Sequence, residues 1–452
     1  MKINLNKEIL RLAAPAIINN VTVPLLGISD TAISGHLGGA RFLGAIAVGS
    51  MMLNVFFWLA GFLRMGTTGL TARAYGAESR EGLKDVLGKA LIIAGLISLI
   101  VITFQRPIEN LLLSYLHPEP ATEILCREYF GICIWGVPAQ LVVMAVTGWF
   151  IGIQTTVVPM IISIATNVIN IVMSVTLAFP AGYGFHGIAV GTVVANWLAA
   201  IGGIIWVWNT LKRQGKTMGQ IRDASSGTGL KNTSGPKEEV GREKETRWSD
   251  FFKVNGSLFI RSACIMAVTL SVTSVGASLG EDILAANAVI MQFFMFFSYF
   301  MDGFAFSGEA LTGRFSGAGD MGMVKETVKY LLVWGVVMSV LFFMIYWRFT
   351  PSIAGLLTDN GEVLATISRY QLWIELLPPL TVMAFIFDGI YVGLTRTAMM
   401  MWATIAGAGC FFGLIHIPDI TLTNSLLWIA FESYLFVRGG SLGLIYMFRG
   451  RK

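Results

Sequence analysis

Twelve long apolar runs constrain this chain more than any other feature of its sequence. Each run is close to or above the roughly 20 residues that a helix needs to cross the hydrocarbon core of a bilayer, and charged or turn-forming residues separate the runs. Of the 452 residues, 55% are apolar and 13% charged, against about 25% charged in a soluble domain. The sequence therefore predicts an all-α integral membrane protein with twelve transmembrane helices. The runs are approximately 9–34, 42–68, 86–105, 126–150, 157–179, 186–211, 252–276, 282–311, 328–350, 364–390, 398–417 and 420–447.

Lysine and arginine are distributed unevenly among the turns. Of 32 such residues, five fall at odd-numbered turns, three in or near the spans, and the other 24 at the termini and even-numbered turns. Because basic loops stay in the cytoplasm, we expect a multi-pass protein of the inner (cytoplasmic) membrane with both termini cytoplasmic. The net charge of +5 then reflects topology and contact with anionic membrane lipid, not nucleic-acid binding.

The residue types of metal, nucleotide and redox sites are sparse and scattered. The four cysteines and four histidines lie apart, and the chain has no CxxC, HExxH or GxxxxGK[ST] pattern. We therefore expect no metal site, no cofactor and no catalytic residues. The chain is predicted not to be an enzyme.

A polar segment divides the chain into two similar halves. Residues 211–250 are rich in Gly, Ser, Lys and Glu and are predicted to be a cytoplasmic linker between a lobe at 1–210 and a lobe at 251–452. With a shift of 241 positions, residues 42–77 match residues 283–318 at ten of 36 positions. Six helices per half give repeats of equal orientation, so we expect two six-helix lobes related by a pseudo-two-fold axis along the membrane normal, with a central cleft.

Three segments resemble a known transporter family. Asn19–Gly38 reads NNVTVPLLGISDTAISGHLG, Asp302–Gly313 reads DGFAFSGEALTG, and Phe387–Thr397 reads FDGIYVGLTRT. These segments resemble the DinF-type branch of the multidrug and toxic compound extrusion (MATE) transporters. The resemblance implies a V-shaped exporter that exchanges protons or sodium for amphipathic, often cationic small molecules. We expect it to act as a monomer.

Asp30 is the principal candidate for coupling to an ion. It lies inside the first run with no Lys or Arg within a helical turn, and a carboxylate in hydrocarbon is costly enough to be a functional candidate by default. The resemblance points to the same residue, because the family's first-helix acid is its usual protonation site. The repeat places Ser271 or Val272 opposite Asp30, so the acid belongs to one half only. The alternative is a helix cap near the outer interface.

Two prolines in the first run predict a helix that bends. Pro15 and Pro24 each free a backbone carbonyl and permit a kink. In the MATE family a first-helix proline is linked to bending, and Pro15 is the better match by spacing. A static kink is the alternative.

Polar residues of later spans are predicted to support the first-helix acid. Asn167 and Asn170 are three positions apart and share a helix face. The family pattern carries an acid one turn later, where this chain has Ser174, and this departure favours the proton over sodium as coupling ion. Tyr129 and Thr192 are family-like polar neighbours, or ordinary hydrogen bonders between helices.

The second half contains further acids within or near spans. Asp302 and Glu309 are seven positions apart on one helix face, and Asp388 follows in a later span. We predict either a second cation site or ion pairs with Arg314 or Arg261.

Methionine and aromatic residues are candidates for contact with substrate. The chain has 21 methionines and 30 phenylalanines, most of which must pack or face lipid. Thioethers and aromatic faces also suit an apolar, drug-sized pocket that holds cations. We select Met291, Phe293 and Phe294.

The predicted function is proton-coupled export of amphipathic or cationic compounds by alternating access. Alternatives are a sodium-coupled antiporter and a lipid-linked oligosaccharide flippase of the same superfamily. A flippase is expected to line its cleft with several cations, and only Arg64, Arg261 and Arg438 lie in or near the spans. A channel or a membrane-embedded enzyme lacks support, because there is no filter-like repeat and no catalytic constellation.

Overall fold

The computed structural model describes residues 4–35, 40–227, 246–418 and 421–449. These residues form fifteen α-helices and one 3₁₀ turn, Ile134–Gly136, and no β-strand. The helices are α1 (Leu5–Gly35), α2 (Ala40–Gly76), α3 (Arg80–Thr103), α4 (Gln105–Leu116), α5 (Pro120–Cys133), α6 (Val137–Gly152), α7 (Val157–Ala178), α8 (Gly184–Gly227), α9 (Trp248–Ser278), α10 (Glu281–Gly317), α11 (Met321–Leu357), α12 (Gly361–Arg369), α13 (Gln371–Gly393), α14 (Thr397–Ile415) and α15 (Asn424–Arg449).

The helices confirm the predicted fold class. Among the described residues, ten helical stretches are long and apolar enough to cross a membrane, with α5 and α6 counted as one stretch across the 3₁₀ turn. α1 and α15, with 31 and 26 residues, are also longer than the roughly 20 residues that a span needs. They complete a twelve-helix layout of two lobes, in which the first lobe comprises α1 to α8 and the second α9 to α15.

The predicted linker overlaps two of the helices. α8 continues to Gly227, well past residue 211, and α9 begins at Trp248. Lys, Arg, Gln and Met in the extension of α8 are good helix formers, which explains how a polar sequence prolongs an apolar span. The middle of the predicted linker, residues 228–245, lies outside the described residues.

The two lobes meet closely where α2 and α10 end. A Cβ atom on Gly76 would lie 1.8 Å from the carbonyl oxygen of Arg314, and one on Gly317 would lie 2.0 Å from that of Arg73. Only glycine permits such an approach of two helix backbones, as in other membrane helix crossings. We call this end of the molecule the closed end.

α1 begins near the closed end and packs along α10. The Ser307 hydroxyl donates a hydrogen bond to the Ile9 carbonyl at 3.0 Å. At Gly303 an added Cβ would lie 3.0 Å from the Ala13 carbonyl oxygen. The first helix of the first lobe is therefore bound over its initial turns to the second lobe.

Candidate functional site

Asp30 lies in the second half of α1 among polar side chains of the first lobe. Its residue is 4% exposed, Thr192 of α8 is its hydrogen-bond partner, and its Oδ1 atom is buried with no partner among the described residues. The Thr192 hydroxyl in turn accepts a hydrogen bond from Asn170 Nδ2 of α7 at 2.8 Å. Three helices thus converge on one carboxyl group.

Tyr129 adds a fourth helix to this cluster. Its side chain is 2% exposed and its ring fills the space beside Gly49, where a Cβ would lie 2.5 Å from the ring. The Tyr129 hydroxyl interacts with Ser50 and Cys133 and lies within electrostatic range of Asp30. We call Asp30, Tyr129, Asn170 and Thr192 the carboxyl cluster.

The other two predicted members of the network lie one turn to either side. Asn167 Nδ2 donates to the backbone carbonyl of Thr22 at 2.8 Å, so this amide holds α7 to α1. The Ser174 hydroxyl donates to the Ile188 carbonyl at 3.4 Å and holds α7 to α8. Both residues position helices around the cluster, and neither contacts the Asp30 carboxyl group in the described structure.

Both prolines lie inside α1, which is continuous from Leu5 to Gly35. Between Pro15 and Pro24, Asn20 Nδ2 donates to the Tyr299 carbonyl of α10 at 3.2 Å. α1 therefore contacts the second lobe near its middle and carries Asp30 beyond that contact.

A central cavity of about 520 Å³ lies between the lobes. Residues of α2, α9, α10, α13 and α15 line it, and its wall carries three cations and three carboxyl groups. These charged residues are Arg64, Arg261, Asp302, Glu309, Asp388 and Arg438.

One ion pair on the cavity wall joins the two lobes. Arg64 of α2 donates to both carboxylate oxygens of Glu309 of α10, at 3.2 and 3.4 Å. The Arg64 guanidinium also lies 4.1 Å from the ring centroid of Phe306, within the range of cation–π contact.

A second ion pair lies within the second lobe. Arg261 of α9 and Arg438 of α15 both donate to Oδ2 of Asp388 of α13. These contacts correct the sequence-based pairing, because the described partner of Glu309 is Arg64 and that of Arg261 is Asp388. Arg314 is five positions beyond Glu309, on a different helix face, and lies near the rings of Tyr75 and Phe315.

At the predicted second cation site, two of the three acids are consequently paired with arginines. Glu309 and Asp388 are both neutralised by guanidinium groups, while Asp302 lines the cavity outside the ion pairs seen among the described residues. Among the described residues, no group of three or more His, Cys, Asp and Glu side chains has the arrangement of a metal site.

One of the three predicted substrate contacts lines the cavity. Phe294 does so, whereas Phe293 points into the second-lobe core, where its ring packs 5.2 Å from that of Tyr346. Met291 is partly buried against the same core. The helical register explains the error, because the cavity face of α10 continues through Met295 and Ser298.

Arg64 also lines a smaller cavity of about 200 Å³ inside the first lobe. Amide and hydroxyl groups line this space, among them Asn19, Gln140, Asn167 and Asn196. Asn167 lies one turn from Asn170 of the carboxyl cluster, and Arg64 lines both this space and the central cavity.

Sequence reasoning missed Glu432 of α15. This residue is 2% exposed, and both carboxylate oxygens are buried with no partner among the described residues. The signal was present, since Glu432 is an acid within the apolar run 420–447.

The described helices form a two-lobed, multi-pass membrane fold with a cavity between the lobes. A family model described as MatE matches the chain twice, at residues 15–176 and 258–417, once in each lobe. The chain therefore belongs to the MATE family of transporters.

Relatives and solved structures agree with this assignment. The chain is 32% identical to DNA damage-inducible protein F of Escherichia coli K12 over 98% of this chain and 92% of that protein. It is 24% identical to Protein DETOXIFICATION 44, chloroplastic, of Arabidopsis thaliana over 95% and 80% of the two chains. Among solved structures, MATE in the bent conformation superposes with a TM-score of 0.81 at 18% identity, covering 99% of this chain and 96% of that one.

A further structural neighbour comes from Pyrococcus furiosus. It is a MOP superfamily transporter described as having a binding pocket of reverse polarity that suggests a different function, and it superposes with a TM-score of 0.79 at 17% identity, covering 98% and 96% of the two chains. At this identity the likeness concerns the fold.

Proposed function

We propose that this protein is a proton-coupled exporter that exchanges protons for amphipathic small molecules, with Asp30 as the protonation site. The observation that carries the proposal is the position of Asp30, which is buried with one carboxylate oxygen unpartnered. None of the ion pairs seen among the described residues includes Asp30. A carboxyl group in this setting carries a large desolvation cost when ionised, which binding of a proton removes.

The contacts of α1 connect the protonation site mechanically to the central cavity. α1 is held to α7 through Thr22 and Asn167, at 2.8 Å, and to α10 through Asn20 and Tyr299, at 3.2 Å. Tyr299 lines the central cavity. A change in how α1 packs around Asp30 is therefore transmitted to the cavity wall, and Pro15 and Pro24, which lie on either side of the two contacts, lower the cost of bending α1.

The composition of the carboxyl cluster favours the proton over sodium. Sodium is a hard cation that prefers several oxygen ligands, usually including carboxylates. The cluster has one carboxyl group, since the position one turn after Asn170 is Ser174, whose hydroxyl is directed to the Ile188 carbonyl. A sodium-coupled antiporter is the competing assignment, and the experiment below separates the two.

One proton supplies enough free energy for efflux. Crossing about 150 mV releases about 3.5 kcal/mol, at about 2.3 kcal/mol per 100 mV. At about 1.4 kcal/mol per decade, this sustains a gradient of a few hundred-fold for a neutral substrate.

The direct test is proton release on ligand binding by the purified protein in weakly buffered non-ionic detergent. Two probes are added separately, the amphipathic cation ethidium and the fatty-acid analogue 11-(dansylamino)undecanoate, and a pH indicator reports released protons. We expect release from the wild type, equally in sodium and potassium salts, and none from Asp30→Asn. Asp282→Asn is the matched control, because Asp282 is an exposed carboxylate at the start of α10.

Either of two results would overturn the proposal. Unchanged proton release from Asp30→Asn would transfer the role to another acid, such as Asp302 or Glu432. Probe binding that needs sodium and releases no proton would replace the coupling ion.

A further inference from the structure

Two guanidinium groups share a single carboxylate on one wall of the central cavity. Arg261 and Arg438, which we call the arginine pair, both donate to the same oxygen of Asp388. The three residues are 7%, 5% and 5% exposed. This cluster therefore holds one positive charge more than its carboxylate can neutralise.

Part of the hydrogen-bonding capacity of the arginine pair is unused, although Arg438 also donates to the Tyr434 hydroxyl and Arg261 to the Met65 sulfur. The Nε atoms of both guanidinium groups are buried with no partner among the described residues, and so is Oδ1 of Asp388. Buried donors without partners are costly, and a guanidinium presents its N–H groups in a fork that matches carboxylate and phosphate oxygens. Both arginines line the cavity, so a ligand in the cavity has access to this wall.

The other charged residues on the lining do not turn the cavity into a cation site. Arg64 and Glu309 neutralise each other, and Asp302 is the remaining carboxyl group on the lining. With three arginines against three carboxyl groups, the lining as a whole is neutral and has no excess negative charge for a lone cation, and the local excess of positive charge lies at the arginine pair.

The rest of the lining is apolar and aromatic. Phe57 and Trp58 of α2 face Phe294, Phe385 and Phe431 of the second lobe across the cavity. Such a wall buries the hydrocarbon body of a ligand whose polar group lies at the arginine pair.

We propose that the arginine pair binds the carboxylate or phosphate group of an amphipathic anion, and that this class of compound is the substrate. The inference rests on the proposed exporter function and specifies its substrate. The anion supplements Asp388, whose single carboxylate is shared by the two guanidinium groups. The same chemistry is found in soluble amphipathic anions and in anionic lipid headgroups, and the experiment distinguishes these sources.

The test compares two probes that have the same hydrocarbon body and opposite charge. The full-length protein is reconstituted in phosphatidylcholine nanodiscs, and dansyl fluorescence measures binding of 11-(dansylamino)undecanoate and of its trimethylammonium counterpart with the same dansyl-undecyl body. We expect the wild type to bind the anion more tightly than the cation. Arg438→Gln should weaken binding of the anionic probe by about tenfold. Arg348→Gln removes an exposed arginine outside the cavity lining and should leave the affinity for the anionic probe unchanged.

A second variant gives a readout that lost stability cannot imitate. Asp388→Asn strands both guanidinium groups and should lower Tm without ligand, but it also removes the internal anion, so we expect it to bind the anionic probe several-fold more tightly, with a larger ligand-induced rise in Tm. Misfolding cannot produce such a gain. Competition by phosphatidylglycerol added to the discs would identify a lipid headgroup as the source, and its failure to compete would identify a soluble anion.

Two results would overturn the inference. One is that the wild type binds the cationic probe more tightly than the anionic probe, and that Asp388→Asn weakens binding of the cationic probe. The other is that Arg438→Gln weakens binding of both probes equally, and that Asp388→Asn does not bind the anionic probe more tightly than the wild type does. The probe-binding assay measures neither Asp30 nor a proton. Proton release that depends on Asp30 would therefore still support the exporter function if either of these results were found.

Discussion

At the scale of single residues, the membrane-embedded charges fall into two groups. Glu309 and Asp388 are buried in ion pairs with arginines, whereas Asp30 and Glu432 are buried outside the ion pairs seen among the described residues. Removing one partner of a buried ion pair strands the other charge, but removing a carboxylate outside an ion pair strands no charge. Replacing the acid by its amide should therefore lower stability in the first group and should not lower it in the second.

Glu309→Gln should destabilise the protein by about 1–3 kcal/mol, because Arg64, whose side chain is 19% exposed, loses both carboxylate contacts. Thermal unfolding in detergent measures the change. Glu326→Gln, at an exposed position of α11, should leave Tm unchanged. A Tm for Glu309→Gln equal to that of the wild type would show that this ion pair does not stabilise the fold.

Glu432→Gln should leave Tm unchanged or raise it, since both oxygens of Glu432 lack partners among the described residues and a neutral amide is cheaper to bury than a charge. The same thermal assay checks this. A marked loss of Tm would reveal a stabilising partner of the carboxylate.

At the scale of helices, the closed end depends on the crossing of α2 and α10. Gly76 and Gly317 each face a carbonyl of the opposite helix at a distance that leaves no room for a Cβ. Because membrane helices gain little from burying apolar surface against each other, close backbone packing of this kind carries much of their association.

Gly76→Ala should separate α2 from α10 and lower stability by about 1–3 kcal/mol, the usual cost of overpacking. Gly88→Ala in α3 is the matched control, because nothing lies within 4 Å of its added Cβ and alanine favours a helix. Unfolding temperature and transport of a fluorescent probe into vesicles should both fall in the first variant only. Equal behaviour of the two variants would contradict a closely packed crossing.

At the scale of the whole molecule, α1 is the element that connects the carboxyl cluster with the second lobe. Its first half is bound to α10 through Ile9 and Ser307, and its second half carries Asp30 into the first lobe. Protonation of Asp30 is therefore expected to change the separation of the lobes away from the closed end.

Spin labels at Glu119 and Asp359, exposed residues in corresponding turns of the two lobes, measure this separation in a variant without other cysteines. We expect the distance distribution to differ between about pH 5 and about pH 9, because a proton bound at Asp30 shifts the conformational equilibrium. Asp30→Asn should hold one distribution at both pH values. A pH-dependent distance that persists in Asp30→Asn would separate the conformational change from this residue.

The sequence by itself determined the all-α membrane class, the order of the long apolar spans and, through the resemblance, the family. These properties follow from local composition, since about 20 apolar residues form a spanning helix whatever their neighbours are. It also singled out Asp30, because an acid in an apolar run is visible without a structure. The clustering of Asp30 with Tyr129, Asn170 and Thr192 agrees with the network suggested by the family resemblance.

Only the tertiary structure decided which charges meet. Glu309 and Arg64 are 245 positions apart, and Asp388 draws its arginines from two different helices, so spacing along the chain carries no information about these pairs. The rotation of α10 likewise turned Phe293 to the core and Phe294 to the cavity. Three arginines that seemed too few to define a site lie in one cavity, where Glu309 and Asp388 compensate their charge from distant positions in the chain.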